Sequence, residues 1–157
     1  MKPKVYVETT VVSYLTSRLS RDLLVAGHQQ VTQEWWQLKR QDFDLFCSQV
    51  VVREAREGDP EAAARRLEAI KDVPLLETTE AALDLASELI ERGAVPPGKP
   101  EDAFHIAIAA VHGADYLLTW NCAHIANAKM RHLVEQVCRE LGYEAPVICT
   151  PEELIED

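Results

Sequence analysis

The sequence lacks long hydrophobic runs and closely spaced cysteines, and each absence excludes a class of protein. No window of the 157-residue chain approaches about 18 uninterrupted apolar residues, so no membrane-spanning segment is predicted. The four cysteines are scattered and form no C-x-x-C pair, which argues against a disulfide framework or a zinc site. Residues 1–4 carry no apolar signal-peptide core. We therefore expect a cytoplasmic protein with reduced cysteines.

Glycine is also scarce, and the glycine-dependent sites are missing. The six glycines form neither a phosphate-binding P-loop nor a dinucleotide-binding fingerprint. The sequence contains no H-E-x-x-H motif, no EF-hand loop and no G-x-S-x-G elbow. These absences remove the commonest nucleotide-binding, zinc-protease, calcium-binding and serine-hydrolase sites from consideration.

Basic residues are outnumbered. The chain has 16 Lys and Arg against 26 Asp and Glu, for a net charge of −10. Such a balance argues against capture of nucleic acid by a broad basic face. It does not exclude a nucleic-acid enzyme whose own active site is acidic, because part of the negative charge can be a carboxylate cluster that binds cations.

Strand-like and helical patterns alternate along the chain. With 47% hydrophobic and 27% charged residues, residues 1–157 are predicted to form a single globular domain. Strands are predicted at 5–7, 43–47, 73–76, 115–119 and 146–149. Helices are predicted at 10–16, from an N-cap at Ser20 to 41, from a cap at Ser48 to Gly58, and at 60–70, 80–93, 100–110 and 128–141. Alternation of this kind predicts an α/β sandwich with parallel strands and a site at their carboxyl ends.

A small set of polar residues stands at unexpected positions in this pattern. Glu8 ends the first strand, and Asn121 follows the fourth strand closely. Glu54 lies among apolar residues of a helix, and Asp102 lies in the first turn of an almost wholly apolar helix. Taken singly, Asp102 is also explained by the helix dipole, Glu54 by the protein surface and Asn121 by an ordinary turn.

Convergence of these side chains at one sheet edge has a chemical consequence. Carboxylates that converge repel one another, and burial without partners costs several kcal/mol. A hard divalent cation relieves the repulsion, and Mg²⁺ takes oxygen ligands while keeping waters and substrate phosphate in its shell. Such an ion activates water and stabilises charge on a phosphodiester.

The motifs and their order resemble those of a known family. They are VYVETT at 5–10, S-x-x-V-x-x-E at 48–54, PEDAFHIAIA at 100–109 and DYLLTWN at 115–121. The set resembles the PIN domain, and most of all the VapC-like toxins of bacterial type II toxin–antitoxin systems. The resemblance covers nearly the whole chain. It implies a three-layer α/β/α sandwich with a short central parallel sheet, and a Mg²⁺- or Mn²⁺-dependent endoribonuclease.

The resemblance also assigns roles to individual residues. Those matched to the metal-binding and catalytic positions of the family are Glu8, Glu54, Asp102 and Asn121. Thr10 and Thr119 match the hydroxyl-bearing positions of the family. His105 lies three residues after Asp102 on nearly the same helix face. It fits either a hydrogen-bonded, partly buried histidine near the rim, or a residue that contacts substrate phosphate or supports the acids. Two positions depart from the family pattern, because the first acid is usually Asp where Glu8 stands, and the fourth is usually an acid where Asn121 stands. The neutral amide weakens any second metal position, so one firmly held ion is expected.

The expected partners follow from the same resemblance. They are an RNA substrate, a cognate antitoxin protein and a second copy of the chain in a homodimer, with no membrane. An alternative is a catalytically weak or inactive PIN-like module that binds RNA or a protein, and Asn121 is the residue that favours it. A metal-dependent enzyme acting on DNA or another phosphate ester also remains open. Trp120 fits either base stacking or core packing.

Overall fold

The computed structural model describes residues 1–155 and confirms the predicted α/β fold. A central sheet of five parallel strands is flanked by helices in a three-layer arrangement. The strands are β1 (Lys4–Val7), β2 (Asp44–Ser48), β3 (Leu75–Leu76), β4 (Tyr116–Leu118) and β5 (Val147–Cys149). The α-helices are α1 (Thr9–Thr16), α2 (Leu23–Glu34), α3 (Gln49–Ala55), α4 (Pro60–Ile70), α5 (Glu80–Glu91), α6 (Pro100–Val111) and α7 (Ala128–Glu140).

The strand order creates a crevice at one edge of the sheet. Across the sheet the order is β3-β2-β1-β4-β5, so the chain builds outward on one side of β1 and then on the other. Open parallel sheets bind ligands outside the carboxyl ends of the strands where the order reverses in this way. Val7 pairs with Leu118, so β1 and β4 end at the same level. The residues that follow these two strands therefore emerge side by side.

Strand β1 forms the centre of the core. Val5, Tyr6 and Val7 are fully buried, because β1 has a strand on each side and helices above and below it. The Glu8 N–H donates to the Leu118 carbonyl at 3.0 Å, which extends the pairing by one residue beyond the strand. Glu8 therefore projects from backbone that is fixed by the sheet.

Helix α6 is the most apolar of the helices that carry predicted site residues. It begins at Pro100, as predicted. Proline suits the first turn of a helix, because the backbone N–H that it lacks would have no partner within the helix there. Two thirds of its residues are buried, namely Asp102, Ala103, His105, Ile106, Ala107, Ile108, Ala109 and Ala110. Helix α5 packs beside it and is followed by Gly93, whose φ of 78° ends that helix in a left-handed turn at the predicted place.

The second predicted helix needs two corrections. Its N-cap is Asp22 and not Ser20, because the Asp22 carboxylate accepts from two backbone N–H groups of the first turn, while the Ser20 hydroxyl accepts from the N–H of Asp22. The predicted single helix to residue 41 is also wrong. Helix α2 ends at Glu34, and a π-helical turn (Trp35–Lys39) and a 3₁₀ turn (Arg40–Asp42) follow. Trp35 is buried there, and the Arg40 guanidinium lies 4.1 Å from the Trp36 ring centre.

Two further predictions differ from the structure. Ser48 occupies the N-cap position of α3, but its hydroxyl caps no backbone N–H and instead bonds the Tyr6 hydroxyl at 2.7 Å. The third strand, predicted at 73–76, is limited to Leu75–Leu76. Pro74 accepts from Cys47 through its carbonyl but has no N–H to donate to a neighbouring strand.

Over residues 1–155, none of the helices has the length and apolar character that crossing a membrane requires.

Candidate metal-binding site

A cavity of about 620 Å³ opens at the carboxyl edge of the sheet, where β1 and β4 end. Its wall contains the carboxylates of Glu8, Glu54, Glu57, Glu101 and Asp102. Thr10 and Asn121 also line it, so the structure brings the predicted acids and the predicted amide from separate segments of the chain to one cavity. The accumulation of negative charge makes this cavity suited to a cation.

Glu8 is held in place by a pair of threonine hydroxyls. Its side chain is only 3% exposed, and its Oε1 accepts from the Thr119 hydroxyl at 2.6 Å and from the Thr10 hydroxyl. Each hydroxyl in turn accepts a backbone N–H, Thr10 from Trp120 and Thr119 from Asn121. Burial raises the pKa of Glu8, against the opposing effects of nearby His105 and the hydroxyls. Both hydroxyls bond the same carboxylate oxygen, Oε1.

Glu54 is held by its own pair of donors. Its Oε1 accepts from the Thr9 hydroxyl at 2.6 Å and from His105 Nε2 at 2.6 Å. Burial acts to raise the pKa of Glu54, but the hydrogen bond and the charge of His105 outweigh it, so the pKa lies below the usual value. Glu54 is therefore ionised at neutral pH and oriented from behind.

Behind Glu54 a chain of hydrogen bonds runs into the core. His105 is fully buried, and its Nδ1 is hydrogen-bonded to the Tyr6 hydroxyl at 2.7 Å. The Tyr6 hydroxyl also bonds the Ser48 hydroxyl at 2.7 Å. Burial acts to lower the pKa of His105, but the hydrogen bond to Glu54 and the charges of the surrounding carboxylates raise it above the ordinary value. His105 thus supports Glu54 from within the core.

Asp102 occupies the other side of the cavity and has different partners. The residue is 6% exposed. Its Oδ1 accepts from the Asn121 side-chain amide at 3.2 Å, and its Oδ2 accepts from His124 Nδ1 at 3.1 Å. The Asn121 Oδ1 accepts from the His124 backbone N–H at 3.1 Å, so its carbonyl is used to shape the turn. Burial raises the pKa of Asp102, opposed mainly by His105 and His124. Asn121 therefore joins the site through Asp102.

The side-chain oxygens of the cavity suit a hard divalent cation, because they lie close together and belong to carboxylates. Within the described residues, donor atoms of Glu8, Glu54 and His105 all lie within 4.8 Å of one another. His105 Nε2 already donates to Glu54, so the glutamate oxygens are the atoms of this group that remain for an ion. Asp102 lies outside that tight group but lines the same cavity. Carboxylate oxygens are the ligands that Mg²⁺ and Mn²⁺ prefer.

From the sequence, His124 fits either the lip of the pocket or a helix-cap segment; it lines the cavity and bonds Asp102. Sequence reasoning missed other residues of the cavity wall, among them Thr9, Ser13 and Lys99. Thr9 bonds Glu54 directly, and its place next to Glu8 in the sequence was the available signal. Lys99 stands three residues before Asp102, and nothing in the sequence pattern marks it.

Trp120 packs in the core and is not available to a nucleic-acid base. Its side chain is 8% exposed, and the His28 ring lies parallel to it with centres 4.1 Å apart. The indole N–H donates to the Thr32 hydroxyl at 2.8 Å, and the Tyr14 ring is stacked nearby. The packing interpretation of Trp120 is therefore confirmed.

Comparison of the chain with protein-family models and with curated proteins finds no match. What the cavity can do is therefore inferred from the chemistry of its own residues.

Proposed function

We propose that the chain is a metal-dependent endoribonuclease of the PIN-domain type. The observation that carries the proposal is the meeting of Glu8, Glu54, Asp102 and Asn121 in one cavity, although they are far apart in the sequence. These are the residues that the resemblance assigns to the metal-binding positions of the family. Their arrangement at the reversal of strand order supports a ligand site at the same place.

A Mg²⁺ or Mn²⁺ ion is the proposed cofactor. Glu8 and Glu54 would hold it, with Asp102 completing the carboxylate set. When bound, such an ion offsets the negative charge of the acids, binds the substrate phosphate and lowers the pKa of water. The raised pKa values of Glu8 and Asp102 support this role, because they show that the folded chain disfavours their negative charges when no cation offsets them.

The proposed reaction is hydrolysis of an RNA phosphodiester. The oxygen of a water molecule adds to phosphorus in line with the bond between phosphorus and the 3′ oxygen. That bond breaks, the water gives up a proton and the departing 3′ oxygen takes one up, so the products are a 3′-hydroxyl and a 5′-phosphate. Glu8 and Glu54 contribute fixed negative charge, because their hydroxyl and imidazole donors hold them in place. Asp102, held more loosely, adjusts on the opposite side.

The biological setting is part of the same proposal. By its resemblance to VapC-like toxins, the chain would act in the cytoplasm as the toxin of a type II toxin–antitoxin pair and form a homodimer. The acidic cavity is suited to a basic side chain of an inhibitory antitoxin, because an arginine fits a carboxylate site in geometry and charge. Light scattering coupled to size-exclusion chromatography tests the dimer, and a monomer at micromolar concentration would contradict it.

A catalytically weak or inactive PIN-like module is the second candidate. The observation that favours it is the engagement of Asn121, whose amide bonds Asp102 and whose carbonyl bonds the His124 backbone. An asparagine in place of an acid makes the site less negative. Such a module would bind RNA or a protein partner without cleaving a bond.

The decisive test begins with the metal. Mn²⁺ is titrated calorimetrically into the wild type, into Asp102→Asn and into the control Asp84→Asn, whose exposed acid lies on α5 outside the cavity. We expect Asp102→Asn to weaken binding by about tenfold or more, since a ligand carboxylate is lost, and Asp84→Asn to leave binding unchanged.

Cleavage is then measured on total RNA, with analysis of the new ends. Ends that are 5′-phosphate and 3′-hydroxyl support the proposed reaction. A 2′,3′-cyclic phosphate would contradict it, because the ribose hydroxyl would then have been the nucleophile. Metal binding without any cleavage would favour the inactive module.

A further inference from the structure

The acidic cavity contains a single basic side chain of the lysine or arginine type within the described residues, and it is Lys99. Five carboxylates share the cavity wall with it. Within residues 1–155 Lys99 nevertheless forms no ion pair shorter than 4.0 Å, in contrast to Lys71, which pairs with Glu68 at 2.6 Å. Its positive charge acts on the carboxylates of the cavity, because it helps to lower the pKa of Glu54.

The backbone holds Lys99 at the cavity while its side chain stays exposed. The Lys99 N–H donates to the Pro96 carbonyl at 3.3 Å, and its carbonyl accepts from the Asp102 N–H at 3.1 Å. Pro100 follows directly and begins α6, so the backbone at Lys99 is restricted from both sides. The backbone position of the lysine is thus fixed relative to Asp102, while its exposed side chain forms no ion pair shorter than 4.0 Å within residues 1–155.

We infer that Lys99 binds a non-bridging phosphate oxygen of a substrate in this cavity. The inference rests on the proposed function and adds to it the anion-binding half of the site. A lysine ammonium binds phosphate as a point charge, and a charge-assisted hydrogen bond is stronger than a neutral one. Without such a group, the acidic wall would repel the phosphate that the reaction requires.

If Lys99 binds the substrate phosphate, its removal should change the affinities for metal and for RNA in opposite directions. Lys99→Met removes a positive charge from the cavity, so Mn²⁺ should bind more tightly than to the wild type. The same change removes a phosphate contact, so RNA should bind more weakly. A folding defect would weaken both, and a lysine that merely offsets the acids would change the metal affinity alone.

The experiment compares Lys99→Met, Lys99→Arg and the control Lys2→Met, in which the lysine precedes β1 at the opposite edge of the sheet. Mn²⁺ affinity is measured by calorimetry. RNA affinity is measured by fluorescence anisotropy of a labelled mixed-sequence 20-nucleotide single strand, at several salt concentrations. Ca²⁺ replaces Mg²⁺ in the RNA measurement to slow cleavage, and a gel checks that the probe stays intact.

For Lys99→Met we expect about tenfold weaker RNA binding, the equivalent of one charged hydrogen bond. The slope of log affinity against log salt should fall by about 0.7, the value for one phosphate contact to a single strand. Lys99→Arg should keep most of the affinity and the slope, and Lys2→Met should change neither.

Unchanged RNA affinity and slope in Lys99→Met would overturn the inference, as would a wild type that fails to bind the RNA. RNA binding that depends on Lys99 but is never followed by cleavage in Mg²⁺ would instead overturn the proposed nuclease and leave the anion site standing.

Discussion

The two sides of the acidic cavity are built differently. On the first side, Glu8 and Glu54 receive bonds of 2.6 Å from hydroxyls and a buried imidazole. On the second side, Asp102 receives bonds of 3.1 and 3.2 Å from His124 and Asn121, which are only partly buried. Short bonds from buried donors fix a carboxylate more firmly than longer bonds from partly exposed ones. In the proposed metal site, the first side would therefore set the position of the ion and the second side would adapt to it.

The largest effect is expected when an acid of the first side is neutralised. Glu54→Gln should weaken Mn²⁺ binding by about 100-fold or more, a greater loss than in Asp102→Asn, because the fixed ligand is removed. Calorimetry of the two variants in parallel measures the difference. Equal losses would mean that the two sides contribute alike, and the distinction between them would be withdrawn.

The next effect is stabilisation by the metal and its dependence on pH. In the folded chain the pKa values of Glu8 and Asp102 are raised above their ordinary values of 4.5 and 3.8. The two raised pKa values therefore stabilise the fold fully below those ordinary values, and this stabilisation is lost as pH rises through the folded-state pKa values. Mn²⁺ at 100 times its dissociation constant should add about 2.7 kcal/mol, or roughly 5–10 °C in Tm, near pH 8.

Near pH 5 the gain should be smaller, because protons compete with the metal for the same oxygens. Scanning calorimetry with and without Mn²⁺ at both pH values checks this. A thermal shift that is equal at the two pH values would argue that these carboxylates do not bind the ion.

The support behind the first side can be broken separately. Tyr6→Phe leaves the buried Ser48 hydroxyl and His105 Nδ1 without their shared partner, which should cost about 1–3 kcal/mol, or roughly 3–10 °C in Tm. Mn²⁺ binding should weaken by about tenfold, because His105 then orients Glu54 less well. Tyr143→Phe is the control, since that partly buried ring lies outside the hydrogen-bond chain.

Urea unfolding and calorimetry measure the two effects of Tyr6→Phe. Unfolding that is indistinguishable from the control would mean that the buried chain adds nothing to stability. A loss of stability with unchanged metal affinity would restrict its role to the core.

The smallest effect is expected from a substitution on the second side of the cavity. Asn121→Asp replaces the amide donor with an acid that faces Asp102, so the metal-free protein should lose stability while Mn²⁺ binds about tenfold more tightly through the added charge. Asn127→Asp is the matched control, because aspartate caps α7 as well as asparagine does. Weaker Mn²⁺ binding in Asn121→Asp would show that the amide donor matters more than the missing charge.

The fold and the four segments of the cavity were predictable because they depend on local patterns. Glu8 follows an apolar strand, Asp102 interrupts an apolar helix, and a parallel sheet brings strand ends to one edge. The bond between Ser48 and Tyr6 was not predictable, because it depends on which strand lies beside β1. The π-helical turn after α2 was missed for a similar reason, since the burial of Trp35 is a tertiary effect.

The pairing of β1 with β4 has a consequence for the order in which the molecule is made. The Thr119 hydroxyl that holds Glu8 lies 111 residues further along the chain. A growing polypeptide therefore carries Glu8 long before it carries the Thr119 hydroxyl that positions it, and contacts of such sequence separation form late in folding. During synthesis the acidic cavity can assemble only after the ribosome has passed residue 121, since Asn121 also lines it.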